Sequence, residues 1–133
     1  MAALATGAAQ GCLEEAIRYA TEREQLAARS ARTRPWAFKD RPDACRLYQA
    51  RLADLRRRVP HAQGKPFKTE AAIAKPVAGE AAMDNARHAT QVFGGYGLST
   101  SSAWPATTAT PDPGGGRGHH GGQLTPIARE LGL

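Results

Sequence analysis

No run in this sequence is apolar over a length that would cross a bilayer. The N-terminal stretch is short and alanine-rich, Glu14 and Glu15 follow it, and no basic segment precedes it. Neither a membrane span nor an export signal is expected, and the chain reads as cytoplasmic. Aromatics make up 6% of residues against 41% hydrophobic, which argues against a large aromatic core and leaves a helical globular domain. Cysteine is scarce: Cys12 and Cys45 have neither CxxC spacing nor a histidine partner pattern. They read as reduced structural thiols, with no disulfide framework or metal-ligand spacing. The GxGxxG dinucleotide fingerprint is also missing, so a Rossmann reading fails.

With 133 residues the chain suffices for one domain with a modest core. The net charge of +6 would ordinarily raise nucleic acid or an anionic surface as partner. The arginines are unevenly spread, however. Arg29, Arg32, Arg34, Arg41, Arg46, Arg51, Arg56, Arg57 and Arg58 crowd one stretch. No stacking aromatics interleave with Arg56, Arg57 and Arg58, and no binding motif surrounds them, so a solvated helix face is the better reading.

Helical periodicity is present in three places. Residues 2–24 carry Leu4, Ala8, Cys12, Ala16 and Tyr19 at helical spacing. Glu14 and Arg18 make an i,i+4 pair contributing a few tenths of a kcal/mol at most. The small residues Ala5, Gly7, Ala8 and Gly11 suit close approach of another helix. A second helix is predicted over 43–59 on Leu47, Tyr48, Leu52, Leu55 and Val59, with Pro60 closing it. After the connector "QGKPF", a third runs from Thr69 to Phe93 on Ile73, Val77, Ala81, Ala82, Ala86, Ala89 and Phe93. Pro76 lies in its interior, where proline costs about 3 kcal/mol and kinks the axis. Gly94 stands where a left-handed C′ residue should stop the helix. Ordered structure is thus expected over about 2–24, 43–59 and 69–97. Residues 99–122 are Ser/Thr/Pro/Gly-rich without an apolar period, and disorder is predicted there. "IAREL" (127–131) looks like the tail of a further helix.

Three islands taken in order carry a resemblance. "AALATGAAQGCLEEAIRYATEREQ", "GKPFKTEAAIAK…AGEAAMDNARHATQVFGGYG" and the terminal "IARELGL" strongly resemble the C-terminal helical domain of FAD-dependent acyl-CoA dehydrogenases. Together they cover a little over half the chain, and "QVFGGYG" after an alanine-rich helix is the specific signal. The resemblance implies an all-α fold, a partial up-down four-helix bundle, as one incomplete domain. In the family that domain follows a helical domain and a β-domain, and its helices build a tetramer or dimer interface. The implied activity is α,β-dehydrogenation of an acyl-CoA thioester, with FAD as cofactor and an electron-transfer partner.

The stretches between the islands depart from the family. After "REQ" the family has phenylalanine-glycine-arginine-proline and a second long helix. After "GGYG" it has E-Y-P-V, a Y-R-D segment and an E-G-T turn. If 112–122, "DPGGGRGHHGG", is written in suitable codons and read one base later, it becomes I-L-E-V-G-E-G-T-T-E-V. Residues 103–111 and 26–31 allow similar recoveries. The sequence is therefore read as a fragment carrying frameshifts in a GC-rich gene, which would itself generate the basic, low-complexity filler.

Family enzymes use a glutamate as general base on the carbon beside the thioester, while flavin takes the hydride. In most members that glutamate belongs to the E-G-T turn, which falls here on "GGGRGHHGG"; in others it lies ahead of this domain. No residue is assigned as catalytic base, and the chain alone is expected to be inactive. The cofactor contacts implied by the resemblance are Arg23, on the FAD pyrophosphate of a neighbouring subunit, and Gln91, Val92, Phe93, Gly94 and Gly95, along the adenine end. On pattern alone, Arg23 is a solvated arginine paired one turn away, and Gly94 and Gly95 are a helix cap. His119 and His120 lack the further ligands of a metal site, so no metal is expected; His88 is expected to be exposed. Two other classes remain: a non-catalytic helical interaction module and, less favoured, a basic nucleic-acid-binding protein.

Overall fold

The computed structural model describes residues 1–25, 28–29, 34–98 and 127–128. It is an all-α arrangement of three long helices: α1 (Ala2–Glu22), α2 (Arg34–Ala62) and α3 (Lys68–Phe93), the last running into a 3-10 turn, Gly94–Leu98. Between α1 and α2 lies a minimal antiparallel pairing of β1 (Glu24–Gln25) with β2 (Ala28–Arg29), in the register Glu24 to Arg29 and Gln25 to Ala28. The disorder predicted over 99–122 falls outside the described residues, as do His119 and His120.

Alanine sets how closely the helices approach. Ala2, Ala5, Ala9 and Leu13 of α1 pack with Ala74, Ala78, Ala81 and Ala82 of α3 and with Leu47 and Ala50 of α2. A second cluster, Cys12, Ala16, Ala20, Ala89, Val92 and Phe93, closes the other end of the α1–α3 seam. A methyl adds little area to bury, so stability here rests on many short contacts rather than a few large side chains. One polar side chain sits inside the seam: Asn85, 1% exposed, donates from Nδ2 to the Ala9 carbonyl at 3.0 Å.

The apolar stripes read from the sequence need correction. On α1, Leu4 points to solvent and Gly7 is exposed, while Leu13 faces the core. The inward stripe is thus the alanine row rather than the largest apolar residues. On α3, Ile73 is 41% exposed for the same reason. Arg18 does not pair with Glu14. It lies 2.5 Å from Glu15 and 4.0 Å from Glu22, and Glu14 accepts instead from Gln10 at 2.7 Å.

The second helix differs most from expectation. It begins at Arg34, contains Pro42 and continues through Pro60 to Ala62. Proline removes one donor, and near a helix end the loss is a single ladder bond. The Pro60 carbonyl still accepts from the N–H groups of Gln63 (3.1 Å) and Lys65 (2.9 Å), which close the chain over the last turn. Of the predicted core stripe only Leu47 is buried. Tyr48, Leu52, Leu55 and Val59 lie exposed along one side. α2 instead turns Leu47, Ala50 and two carboxylates, Asp43 and Asp54, inward.

Those carboxylates are matched. Asp43 Oδ1 lies 2.7 Å from His88 Nδ1 on α3 and accepts from Arg46 at 3.0 Å; Arg46 also reaches Asp84 of α3 at 3.2 Å. His88, expected to be exposed, is therefore half-buried in a polar tie between two helices. Asp54 is held within α2 by Arg57 at 2.9 Å and Arg58 at 2.6 Å.

α3 runs unbroken through Pro76 and stops where expected. Gly94 has φ +59°, a region costly for residues with a Cβ, and its N–H donates to the Thr90 carbonyl.

Candidate functional site

Arg23 is the residue at which α1 ends. Its backbone is extended, with φ −74° and ψ 126°, and its N–H donates to the Tyr19 carbonyl at 2.9 Å. The chain leaves the helix there, so the Arg23 side chain is directed beside the last turn. Its guanidinium lies over the Tyr19 ring and the Tyr96 ring, 5.4 Å from each centroid, and Nη1 donates to the Tyr19 hydroxyl. Tyr19 in turn stacks on Phe93, with centroids 4.5 Å apart and an interplanar angle of 29°. A continuous file of groups, Phe93, Tyr19, Arg23 and Tyr96, thus joins the end of α1 to the end of α3.

The glycines of "FGGYG" do separate work. Gly94 makes the positive-φ stop. Gly97 lets the 3-10 turn fold back on α3, since a Cβ there would lie 3.1 Å from both Phe93 Cβ and the Thr90 carbonyl oxygen. Gly94 and Gly95 are exposed, and a Cβ on either would meet no protein atom within 4 Å. No internal packing demands their bareness, which leaves their backbone approachable from outside. Among the other residues of the stretch, Gln91 is exposed, whereas Val92 and Phe93 are buried in the second core cluster. Any ligand along this stretch would meet their backbone more readily than their side chains.

Tyr19, Glu22, Arg23, Glu24 and Tyr96 line a shallow cleft of about 430 Å³. It offers one guanidinium and two aromatic rings, with two carboxylates at the edge. Glu22 is 4.0 Å from Arg18, whose guanidinium is stabilised further in its charged form by hydrogen bonding to Glu15 and by both glutamates. Reading the sequence by pattern missed Tyr19 and Tyr96 as site residues. The signal available was a tyrosine one helical turn ahead of the arginine.

A second concavity of about 750 Å³ lies between α2 and α3. Gln49, Leu52, Ala53, Arg56, Thr69, Glu70, Ile73, Val77 and Ile127 line it. Ile127 and Ala128 are helical and half-buried, so the terminal piece read as a helix tail contributes to this groove. Among the described residues there is no group of three or more His, Cys, Asp or Glu that could hold a metal ion. No helix among them is long and apolar enough to cross a membrane.

The family profile described as acyl-CoA dehydrogenase, C-terminal domain, matches residues 1–110. The chain belongs to the acyl-CoA dehydrogenase family. The match to this dehydrogenase domain runs through 26–31 and 103–110, both in stretches read as out of frame, and stops short of 112–122. Among curated relatives, the short-chain-specific acyl-CoA dehydrogenase of Megasphaera elsdenii is 35% identical over 99 residues, covering 74% of this chain and 26% of its own length. CarC, a subunit of the caffeyl-CoA reductase-Etf complex of Acetobacterium woodii, is 36% identical over 97 residues, covering 73% of this chain and 26% of its own. Among solved structures, the FAD complex of PigA superposes with a TM-score of 0.90 at 27% identity, over 99% of this chain and 35% of that one. The chain thus spans about a quarter of the length of the curated dehydrogenases it matches.

Proposed function

We propose that this chain is the FAD-contacting helical portion of an acyl-CoA dehydrogenase, an oxidoreductase that forms an α,β double bond in an acyl-CoA thioester. The observation that carries the reading is the meeting of Arg23 with the "QVFGGYG" turn. Two stretches far apart in sequence bring a guanidinium, aromatic faces and approachable glycine backbone to one end of the α1–α3 pair. That donor set suits a dinucleotide: the guanidinium for a pyrophosphate oxygen, the exposed backbone at Gly94 and Gly95 for close passage of the adenine end. FAD, when bound, supplies the hydride acceptor. Arg23 and the glycine turn bind and orient it, and neither is asked to move a proton.

Within this reading the cofactor's flavin end and the acyl-CoA are held by parts of the enzyme outside this chain. The chain alone therefore binds FAD weakly and does not oxidise acyl-CoA. Its electron-transfer partner is a flavoprotein of the Etf type, as the name of the complex containing CarC suggests. The working form is a homo-oligomer, tetramer or dimer, in the cytoplasm. Four described arginines of the basic stretch have partners within the fold, which speaks against a nucleic-acid surface: Arg46, Arg57 and Arg58 are engaged by Asp43, Asp84 and Asp54, and Arg51 donates to Gln10 at 2.7 Å while lying over Tyr48. The filler account of 112–122 belongs to this proposal too, and resequencing the gene tests it.

The reading is tested by titrating FAD into the purified chain at low salt and following flavin fluorescence. Weak saturable binding is expected, and Arg23→Ala should weaken it about tenfold or more, the range for a hydrogen bond to a charged group. Equal affinity in the variant removes the Arg23 role. A chain that purifies yellow and reduces an electron acceptor with an acyl-CoA would refute its inactivity.

A further inference from the structure

The cation at the end of α1 is braced on several sides. Tyr19 is four residues before Arg23, whose N–H still closes on the Tyr19 carbonyl at 2.9 Å, and its ring and hydroxyl lie against the guanidinium. Tyr96 reaches the same guanidinium from the far end of α3, and it stands there because of two backbone constraints. Gly94 supplies the positive φ that ends the helix, and Gly97 allows the turn to press against Phe93 and Thr90. Phe93 then backs Tyr19 from the core side. Tyr19 is half-buried and Phe93 buried, whereas Tyr96 is 61% exposed. An aromatic ring held open to solvent over a cation, at the rim of a cleft, is not needed to fill the core.

We infer that Tyr19 and Tyr96 are positioning residues, which hold the Arg23 guanidinium over the cleft as a preformed receptor for a phosphate-type anion. The inference rests on the reading of Arg23 as an anion ligand and adds the reason that a surface arginine could serve. A free arginine must give up most of its rotamer freedom when it binds. One already flanked by two rings and fixed through Nη1 by a hydroxyl has given it up on folding, so less affinity is lost at the binding step.

The test uses the full chain, inorganic pyrophosphate as probe, and the Arg23 Nε–Hε and Cδ proton signals by NMR. Before any ligand is added, the Arg23 Cδ protons should show ring-current shifts that diminish in Tyr96→Leu. Pyrophosphate should move the Arg23 Nε–Hε signal saturably. Tyr96→Leu should weaken binding about fivefold to tenfold while lowering the melting temperature only slightly, because that side chain is 61% exposed. Tyr96→Phe, which keeps the ring, should retain the affinity. Tyr19→Phe preserves the stack on Phe93 and removes only the hydroxyl, so it should fold and bind a few-fold more weakly. Equal affinity in Tyr96→Leu, Tyr19→Phe and the unmodified chain overturns the tyrosine role and leaves the anion site standing. No saturable shift at Arg23 in the unmodified chain overturns the anion site, and this inference with it.

Discussion

Cys12 and Cys45 differ by where their helices put them. Cys12 lies inside the α1–α3 seam at 1% exposure, while Cys45 is exposed on α2. Desolvation pushes the Cys12 thiol up from its ordinary range, since the thiolate is the form that burial disfavours. With the folded pKa above the unfolded one, the folded state binds more proton between the two. Its stabilising contribution is complete below the unfolded pKa and is lost as pH rises through the folded one. Two results are expected. Iodoacetamide followed by mass spectrometry should label Cys45 rapidly and Cys12 only at the rate of global or local opening. Unfolding midpoints of Cys12→Ala should fall less steeply with pH above about 9 than those of the parent chain. Equal labelling of the two cysteines would contradict the packing of this seam. Neither difference was legible from the spacing of two isolated cysteines.

At the scale of the element, the three helices show three degrees of legibility. The end of α3 was readable because the signal is local: only glycine adopts the φ of Gly94 cheaply, and the apolar run stops beside it. The start and end of α2 were not, because proline reads as a stop in any local rule. Whether a helix continues past it depends on what satisfies the remaining carbonyls, as Gln63 and Lys65 do for Pro60. The tie from Asp43 to His88 and Arg46 was equally hidden, since it joins residues on two helices. It yields a prediction for the α2–α3 contact. Asp43→Ala removes a buried acceptor from two donors and should cost about 1–3 kcal/mol. His88→Ala, which leaves Arg46 on the same carboxylate, should cost less. Urea unfolding followed by circular dichroism at constant m-value measures both, and the reverse order would mean that Arg46 alone does not hold Asp43.

For the whole molecule, the exposed row Tyr48, Leu52, Leu55 and Val59 on α2 is the feature that a single copy leaves unaccounted for. The groove beside it, with Leu52 on one wall and Ile127 in its lining, covers only part of that row. If the homo-oligomer proposed above forms through this face, it buries the remainder. Sedimentation velocity should then show association that rises with concentration over the micromolar range. Leu55→Asp places a charge in the apolar row and should return the chain toward monomer without lowering its helical content. Association unaffected by Leu55→Asp would move the contact to another face. Exposure of this row reversed the sequence expectation that it would form the core, and the reason is geometric. α2 meets α1 and α3 through the face that carries Asp43, Leu47, Ala50 and Asp54, so a row on another side of the same helix stays exposed.

By itself the sequence determined the class of fold, the presence of the three long helices though not the ends of α2, the stop at Gly94, and the family, because each depends on local spacing or on motifs kept whole. Tertiary structure alone decided which face of each helix is inside, how α2 passes its prolines, and that Tyr19, Arg23 and Tyr96 share one cleft. Local propensity sets where a helix can form. The closeness at which two helices meet is a property of the pair, and only that closeness carries Arg23 to the turn at the end of α3.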